Sequence, residues 1–236
     1  MEDELIVFND PKSPISEVFR TLRTNIQFMS ERNGAQCILV TSTNAGEGKS
    51  WITSNLATAL AQAGNNVIII DTDMRKGRLY HIFSVNQKPG LSNYLAESGN
   101  VKNESKKISN YIQHTNVKNL DVMTGGNIPP NPSELLGLPT MQDLLWELKE
   151  RYDIVILDGT PCDLVTDSLI LARIVDSVVV TIAVKETKKA NLKRVIENIE
   201  NVGGNILGVI ANKMPVSAKQ YQKTSYYGSS SSSSRR

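Results

Sequence analysis

Thr43-Asn44-Ala45-Gly46-Glu47-Gly48-Lys49-Ser50 follows an apolar run and opens a helical stretch. Glycines at 46 and 48 allow successive backbone N–H groups to turn inward around an anion, and the N-terminus of the following helix reinforces them. A lysine at the end of such a loop reaches β- and γ-phosphates, and the hydroxyl after it ligates Mg²⁺. Lys49 is therefore expected on the phosphates and Ser50 on the cation. Ala45, Gly46, Glu47, Gly48, Lys49, Ser50 and Trp51 form the expected nucleotide cradle. The first position is Thr43, where the usual motif has glycine.

Two further segments carry acids. Val67-Ile68-Ile69-Ile70-Asp71-Thr72-Asp73-Met74-Arg75 reads as a buried strand ending in two carboxylates, which an extended chain would place on one side. Ile154-Val155-Ile156-Leu157-Asp158-Gly159-Thr160-Pro161 reads as another such strand, with Asp158 in reach of a metal, directly or through water. At the C-terminal edge of a parallel sheet these acids would face a nucleotide crevice. Singly, each could be a helix cap or a turn residue. Together with the loop they indicate a Mg²⁺-nucleotide phosphotransferase or hydrolase. Arg75 either binds phosphate or pins Asp73. Asp163 and Asp167 read as caps, with Asp167 a candidate to line the site. His81, His114 and Cys37 read as ordinary surface or packing residues, and Cys162 lies near the site without evident chemistry.

The elements that must hold these groups alternate along the chain. Strand-like runs are Cys37–Thr41, Val67–Asp71, Leu120–Met123, Ile154–Asp158, Ser177–Ala183 and Ile206–Ala211; helical stretches cover residues 50–63, 133–137, 139–151 and 187–202. Continuous apolar strands alternating with helices predict an α/β fold with a mainly parallel sheet covered on both faces. Ahead of them, Ser13-Pro14 through about Ser30 reads as a helix with an apolar stripe of Ile15, Val18, Phe19, Leu22, Ile26 and Met29. The chain is read as one domain over residues 1–212 followed by a Tyr- and Ser-rich flexible tail over residues 213–236, which contains six consecutive serines, Ser229–Ser234.

The 236 residues, 40% hydrophobic and 21% charged, suit one large domain and argue against wholesale disorder. No apolar run approaches the ~18–20 residues of a membrane span, and the acidic start is a poor signal peptide. Two cysteines without C-x-x-C spacing argue against a disulfide framework or a zinc site. The expected location is cytoplasmic. The net charge of +2 hides an asymmetry: residues 212–236 carry five basic side chains and no acid, leaving −3 on residues 1–211. Such a tail is either solvated coil or a ligand or substrate; nucleic-acid binding is the less favoured reading.

A second aspartate strand of the form apolar-D-x-D-x-R is unusual beside a phosphate-binding loop and a Walker B strand. With it, the sequence resembles the bacterial tyrosine kinases of capsular and exopolysaccharide synthesis, whose extra motif, Walker A′, corresponds to Ile68–Arg75. Glu17, Arg20 and Arg23 match that family's E-x-x-R-x-x-R oligomerisation motif, and Asn131-Pro132-Ser133-Glu134-Leu135-Leu136 matches another family segment. Asp158-Gly159-Thr160-Pro161 departs modestly from the family's D-T-P-P or D-S-P-P. Tyr221, Tyr226 and Tyr227 correspond to its C-terminal tyrosine cluster, more sparsely than in many members.

The resemblance implies a P-loop kinase that uses ATP and Mg²⁺ to phosphorylate its own tail tyrosines within a head-to-tail ring. It also implies a membrane-embedded polysaccharide copolymerase as activator, recruiting the kinase to the inner face of the membrane, and protein substrates such as sugar-nucleotide enzymes. A phenol with pKa near ~10 needs a carboxylate to take its proton. Asp71 is assigned to the metal and Asp73 to the hydroxyl, an assignment the residues equally admit in reverse. Two rivals share these motifs. One is a partitioning or division-site ATPase, which typically carries lysine where this chain has Thr43; the other is a non-catalytic, nucleotide-gated assembly module.

Overall fold

In the computed structural model, which describes residues 4–98 and 107–214, the apolar runs become strands of one sheet. They are β1 (Cys37–Ser42), β2 (Val67–Asp71), β3 (Gln113–His114), β4 (Leu120–Met123), β5 (Ile154–Pro161), β6 (Ser177–Ala183) and β7 (Ile206–Asn212). Their spatial order is β3-β4-β2-β5-β1-β6-β7, parallel throughout except for the antiparallel edge strand β3. β3 has two residues and no period to read, so nothing in the sequence marks it. The tail tyrosines Tyr221, Tyr226 and Tyr227 lie outside the described residues.

Helices cover both faces, as continuous apolar strands require. They are α1 (Ile6–Asn9), α2 (Pro14–Asn33), α3 (Lys49–Gln62), α4 (Leu79–Ile82), α5 (Leu91–Ser98), α6 (Pro132–Leu136), α7 (Pro139–Lys149), α8 (Asp167–Ala172) and α9 (Lys189–Asn201). Ile69 and Ile156 pack under α1, α2 and α3 with Val7, Phe19 and Leu56; Ile68 and Leu157 pack under α5, α7, α8 and α9 with Leu95, Leu144 and Val195. The alternation along β2 and β5 thus sends one residue to each layer, and Asp71 and Asp158 fall on the α3 side.

α2 begins where Ser13 Oγ accepts the Ile15 N–H with Pro14 in the first turn, and ends at Gly34 with φ 64°. Its expected stripe is divided. Phe19 and Ile26 are buried and Ile15 and Leu22 pack beside them, whereas Val18 and Met29 are exposed. The inward face follows i, i+4, i+7, i+11 from Ile15, and Val18 and Met29 lie outside that arc at 100° per residue. α1 is too short to carry a periodic signal; a buried Asn55 of α3 fastens it by accepting the Val7 N–H and donating to the Glu4 carbonyl.

Candidate active site

β1 hands the chain to the glycine loop, and β2 and β5 deliver acids at the same edge. Gly46 and Gly48 have φ of 80° and 87°, a left-handed backbone that an L side chain disfavours. A Cβ on Gly48 would also stand 2.2 Å from Asn212 Nδ2. That amide, at the end of β7, donates to the Glu47 carbonyl at 2.9 Å. The Glu47 side chain is a brace for the loop: it accepts from the Asn44 N–H and side-chain amide, and from Thr187 Oγ1 ahead of α9. Trp51 packs edge-to-face on Phe19 with ring centroids 5.2 Å apart, and Ala45 lies in the loop itself.

Lys49 and Asp158 meet in the interior, Nζ to Oδ1 at 2.6 Å, with Nζ also 3.2 Å from Ser50 Oγ. Thr53 Oγ1 adds a second donor to Asp158 Oδ1 at 3.2 Å, a partner that sequence reading missed because it sits one helical turn past the motif. Asp158 Oδ2 is buried and takes no hydrogen bond from the described residues. An acceptor oxygen left bare beside a hydroxyl is the donor set a hard divalent cation seeks. Ser50, Asp158 and the adjacent Asp71 therefore fit Mg²⁺.

Asp71 is the register partner of Asp158 across β2 and β5. It is 1% exposed and accepts the N–H groups of Asp73 and Leu79. Burial, then the neighbouring Asp158 charge, pushes its carboxyl up to about 7. Asp73 does not share the strand geometry expected of it. β2 stops at Asp71, the chain turns, and Asp73 Oδ1 caps the N–H groups of Arg75 and Lys76. Nor does the Arg75 guanidinium hold Asp73. It pairs with Asp167, which is fully buried at the start of α8 and also accepts from Ser133 Oγ at 2.6 Å. Asp167 thus joins the Walker A′ loop to α6 and α8. Gly159 is required by the same packing, since a Cβ there would stand 2.6 Å from Ser168 Oγ.

The remaining candidates take structural roles. Cys37 is buried, and its thiol is pushed up by desolvation. Cys162, with its thiol raised to about 11 by burial, lies 3.2 Å from Thr41 Oγ1. Exposed His114 pairs with Asp121, and His81 stacks on Tyr80. Asp163 pairs with Arg194 at 2.9 Å.

The model of the AAA domain matches residues 35–210, which hold β1 to β6, most of β7, and Lys49, Asp71 and Asp158. The tyrosine-protein kinase YwqD of Bacillus subtilis is 36% identical over 228 residues, covering 97% of this chain and 92% of the relative. The chain belongs to the bacterial tyrosine-protein kinases. Its structure agrees: the chimerical protein CapA2B2 superposes on this kinase with TM-score 0.83 at 39% identity, covering 90% of this chain and 91% of that one. The septum site-determining protein MinD of Pyrococcus horikoshii, complexed with Mg-ADP, gives TM-score 0.61 at 18% identity, covering 80% and 76%. That likeness is one of fold alone. The kinase is a nucleotide-binding P-loop enzyme, and no described helix is long and apolar enough to cross a membrane.

Two expectations for this kinase follow from the site. Asp71 keeps its proton to about pH 7 when folded, against an ordinary value of 3.8. The folded state therefore binds more protons between those values, and stability falls as pH rises through that window. The melting temperature of the nucleotide-free kinase should drop from pH 5 to pH 8, and Asp71→Asn should flatten that slope in a calorimetric series. The second concerns Gly77, which sequence reading passed over because its motif ended at Arg75. A Cβ on Gly77 would lie 2.5–2.8 Å from the Asp71 carboxyl atoms. Gly77→Ala should displace Asp71 and lower kcat by about 10²-fold, with about 1–3 kcal/mol of stability lost to overpacking. Unchanged kcat would show that the Asp71 position is not critical.

Proposed function

We propose that this kinase transfers the γ-phosphoryl group of ATP to Tyr221, Tyr226 and Tyr227 of its own tail, in trans within a ring, and to protein substrates of capsular or exopolysaccharide synthesis. The observation that carries the reading is the convergence of Lys49, Asp158 and Asp71 at the mouth of the glycine loop, next to the end of β7. Asn212 touches the loop itself, so the tail leaves the domain at the sheet edge that carries the site.

Within that reading the loop amides and Lys49 hold the triphosphate, and Ser50, Asp71 and Asp158 are the residues for Mg²⁺. Bound Mg²⁺ supplies neutralising charge to the phosphate oxygens. Release of Lys49 from Asp158 onto the phosphates then precedes transfer. Asp73, on the wall of the adjoining cavity, is the group assigned to the tyrosine hydroxyl, and its Oδ2 takes no hydrogen bond from the described residues.

The ring rests on α2. Glu17 and Arg20 form an i,i+3 ion pair at 2.5 Å on an exposed ridge, a pairing that by itself contributes well under ~1 kcal/mol. Arg23 Nε is buried without a hydrogen-bond partner among the described residues, and Val18, Phe28 and Met29 are exposed elsewhere on the same helix. Exposed apolar side chains on a helix that also carries the charged ridge support use of this helix by a second copy. The activator is proposed to be a membrane-embedded polysaccharide copolymerase that recruits the kinase to the inner membrane face.

Mixing tests the trans arrangement. A chain truncated after Met214 supplies the site, and full-length Lys49→Met supplies the tail. Phosphotyrosine on the Lys49→Met tail is expected, and its loss with Arg20→Ala/Arg23→Ala in both chains would tie it to α2. No transfer in the mixture, with transfer in intact wild type, would contradict trans phosphorylation.

A further inference from the structure

With Asp71 in its wall, a cavity of about 280 Å³ lies between the Walker A′ turn and the loop at residues 125–128. That is at the small end of ligand pockets, roughly 300–1,000 Å³, and suits one side chain better than a nucleotide. Its polar groups are sorted by depth. The carboxylates Asp71 and Asp73 are buried and half-buried, and the exposed polar side chains are Lys76, Arg78, His81 and Gln87. Gly125 and Gly126 line the facing wall.

Both rim charges are exposed, and one of them has no ion-pair partner among the described residues. Lys76 is exposed and forms none of the ion pairs found among the described residues. Its backbone N–H is the part the turn uses, as donor to Asp73 Oδ1. Arg78 is 61% exposed along its side chain, with Glu4 as its partner. A cationic rim around an acidic floor attracts an anionic neighbour of the reacting group while leaving the floor to the chemistry.

We infer that this cavity is the acceptor cleft and that Lys76 and Arg78 select tyrosines flanked by acidic residues. The inference rests on the proposed tyrosine transfer and adds its substrate class. The kinase's own tail is the opposite kind of sequence, since residues 212–236 contain no Asp or Glu and five basic side chains. Tethering raises the tail's effective concentration enough to overcome a poor match, whereas a free substrate has only its flanks. Separate protein substrates are therefore acidic around their tyrosine.

Three synthetic peptides test this with the full chain: one tyrosine each, flanked by glutamate, lysine or serine. The glutamate peptide should show a KM about tenfold below the lysine peptide with similar kcat, a gap that narrows at high salt. Lys76→Glu should narrow or reverse that order, with the serine peptide as the reference in each enzyme so that any common loss cancels. Equal KM values across the three peptides would overturn the inference. Transfer to the tail alone, with no peptide accepted, would overturn it and leave the kinase reading intact. No phosphotyrosine anywhere would remove that reading and the inference together.

Discussion

Lys49→Met is expected to abolish phosphoryl transfer and to destabilise the nucleotide-free protein at the same time. The first effect follows from charge. Transfer of a phosphoryl group depends on positioning and on neutralising its oxygens, and loss of one preorganised donor in a dry site costs about 10²–10³-fold. The second follows from the 2.6 Å contact to Asp158, whose partners are 9% and 1% exposed along their side chains. Removing one member of a buried pair leaves the other uncompensated, a loss of about 3–5 kcal/mol. Here Asp71 stands beside the stranded charge, so the deficit should grow as pH rises and Asp71 ionises. Lys49→Met/Asp158→Asn separates the two effects. It should recover much of the melting temperature while remaining inactive. A double variant as unstable as Lys49→Met would show that the ion pair is not what Lys49 contributes to the fold.

Arg75→Ala carries the second large effect, in stability. Its guanidinium is about a third exposed, yet Asp167 is wholly buried and its remaining donor is the Ser133 hydroxyl. Truncation strands that carboxylate, at a cost of about 3 kcal/mol after allowance for water reaching the vacated space. Arg75→Ala/Asp167→Asn should restore most of the loss, because an amide needs no counter-charge and still accepts from Ser133. The ATP KM distinguishes the phosphate-binding role read from sequence from the pairing with Asp167. If Arg75 acts as the anchor of the Walker A′ turn, KM for ATP stays within about threefold in the double variant, as judged from steady-state rates. A rise of tenfold or more would make it a phosphate ligand.

The parts of this kinase that sequence reading reached are those written in a short local code. β2, β4 and β6 have the expected ends, with β2 closing on Asp71 and β6 opening after Asp176. Gly-Lys-Ser between a strand and a helix placed Lys49 and Ser50 at the head of α3. What was not legible depends on chain crossings. Asp167 and Arg75 are 92 residues apart, and their pairing exists because α8 is laid beside the β2 turn. The strand geometry expected at Asp73 fails for a related reason: a period-two argument holds only while the strand continues, and β2 stops at Asp71, after which the chain turns and Asp73 Oδ1 caps the Arg75 and Lys76 N–H groups. The brace from Thr187 and Asn212 to Glu47 likewise joins loops that β6 and β7 bring to the edge of β1.

The most direct measurement is to incubate the purified full-length kinase with Mg²⁺-ATP beside Lys49→Met and map phosphate by mass spectrometry. Phosphate on Tyr221, Tyr226 or Tyr227 of the wild type, absent from Lys49→Met, is the expected result. ATP hydrolysis without phosphotyrosine, even with an activating segment present, would contradict tail phosphorylation and favour a partitioning-type ATPase cycle.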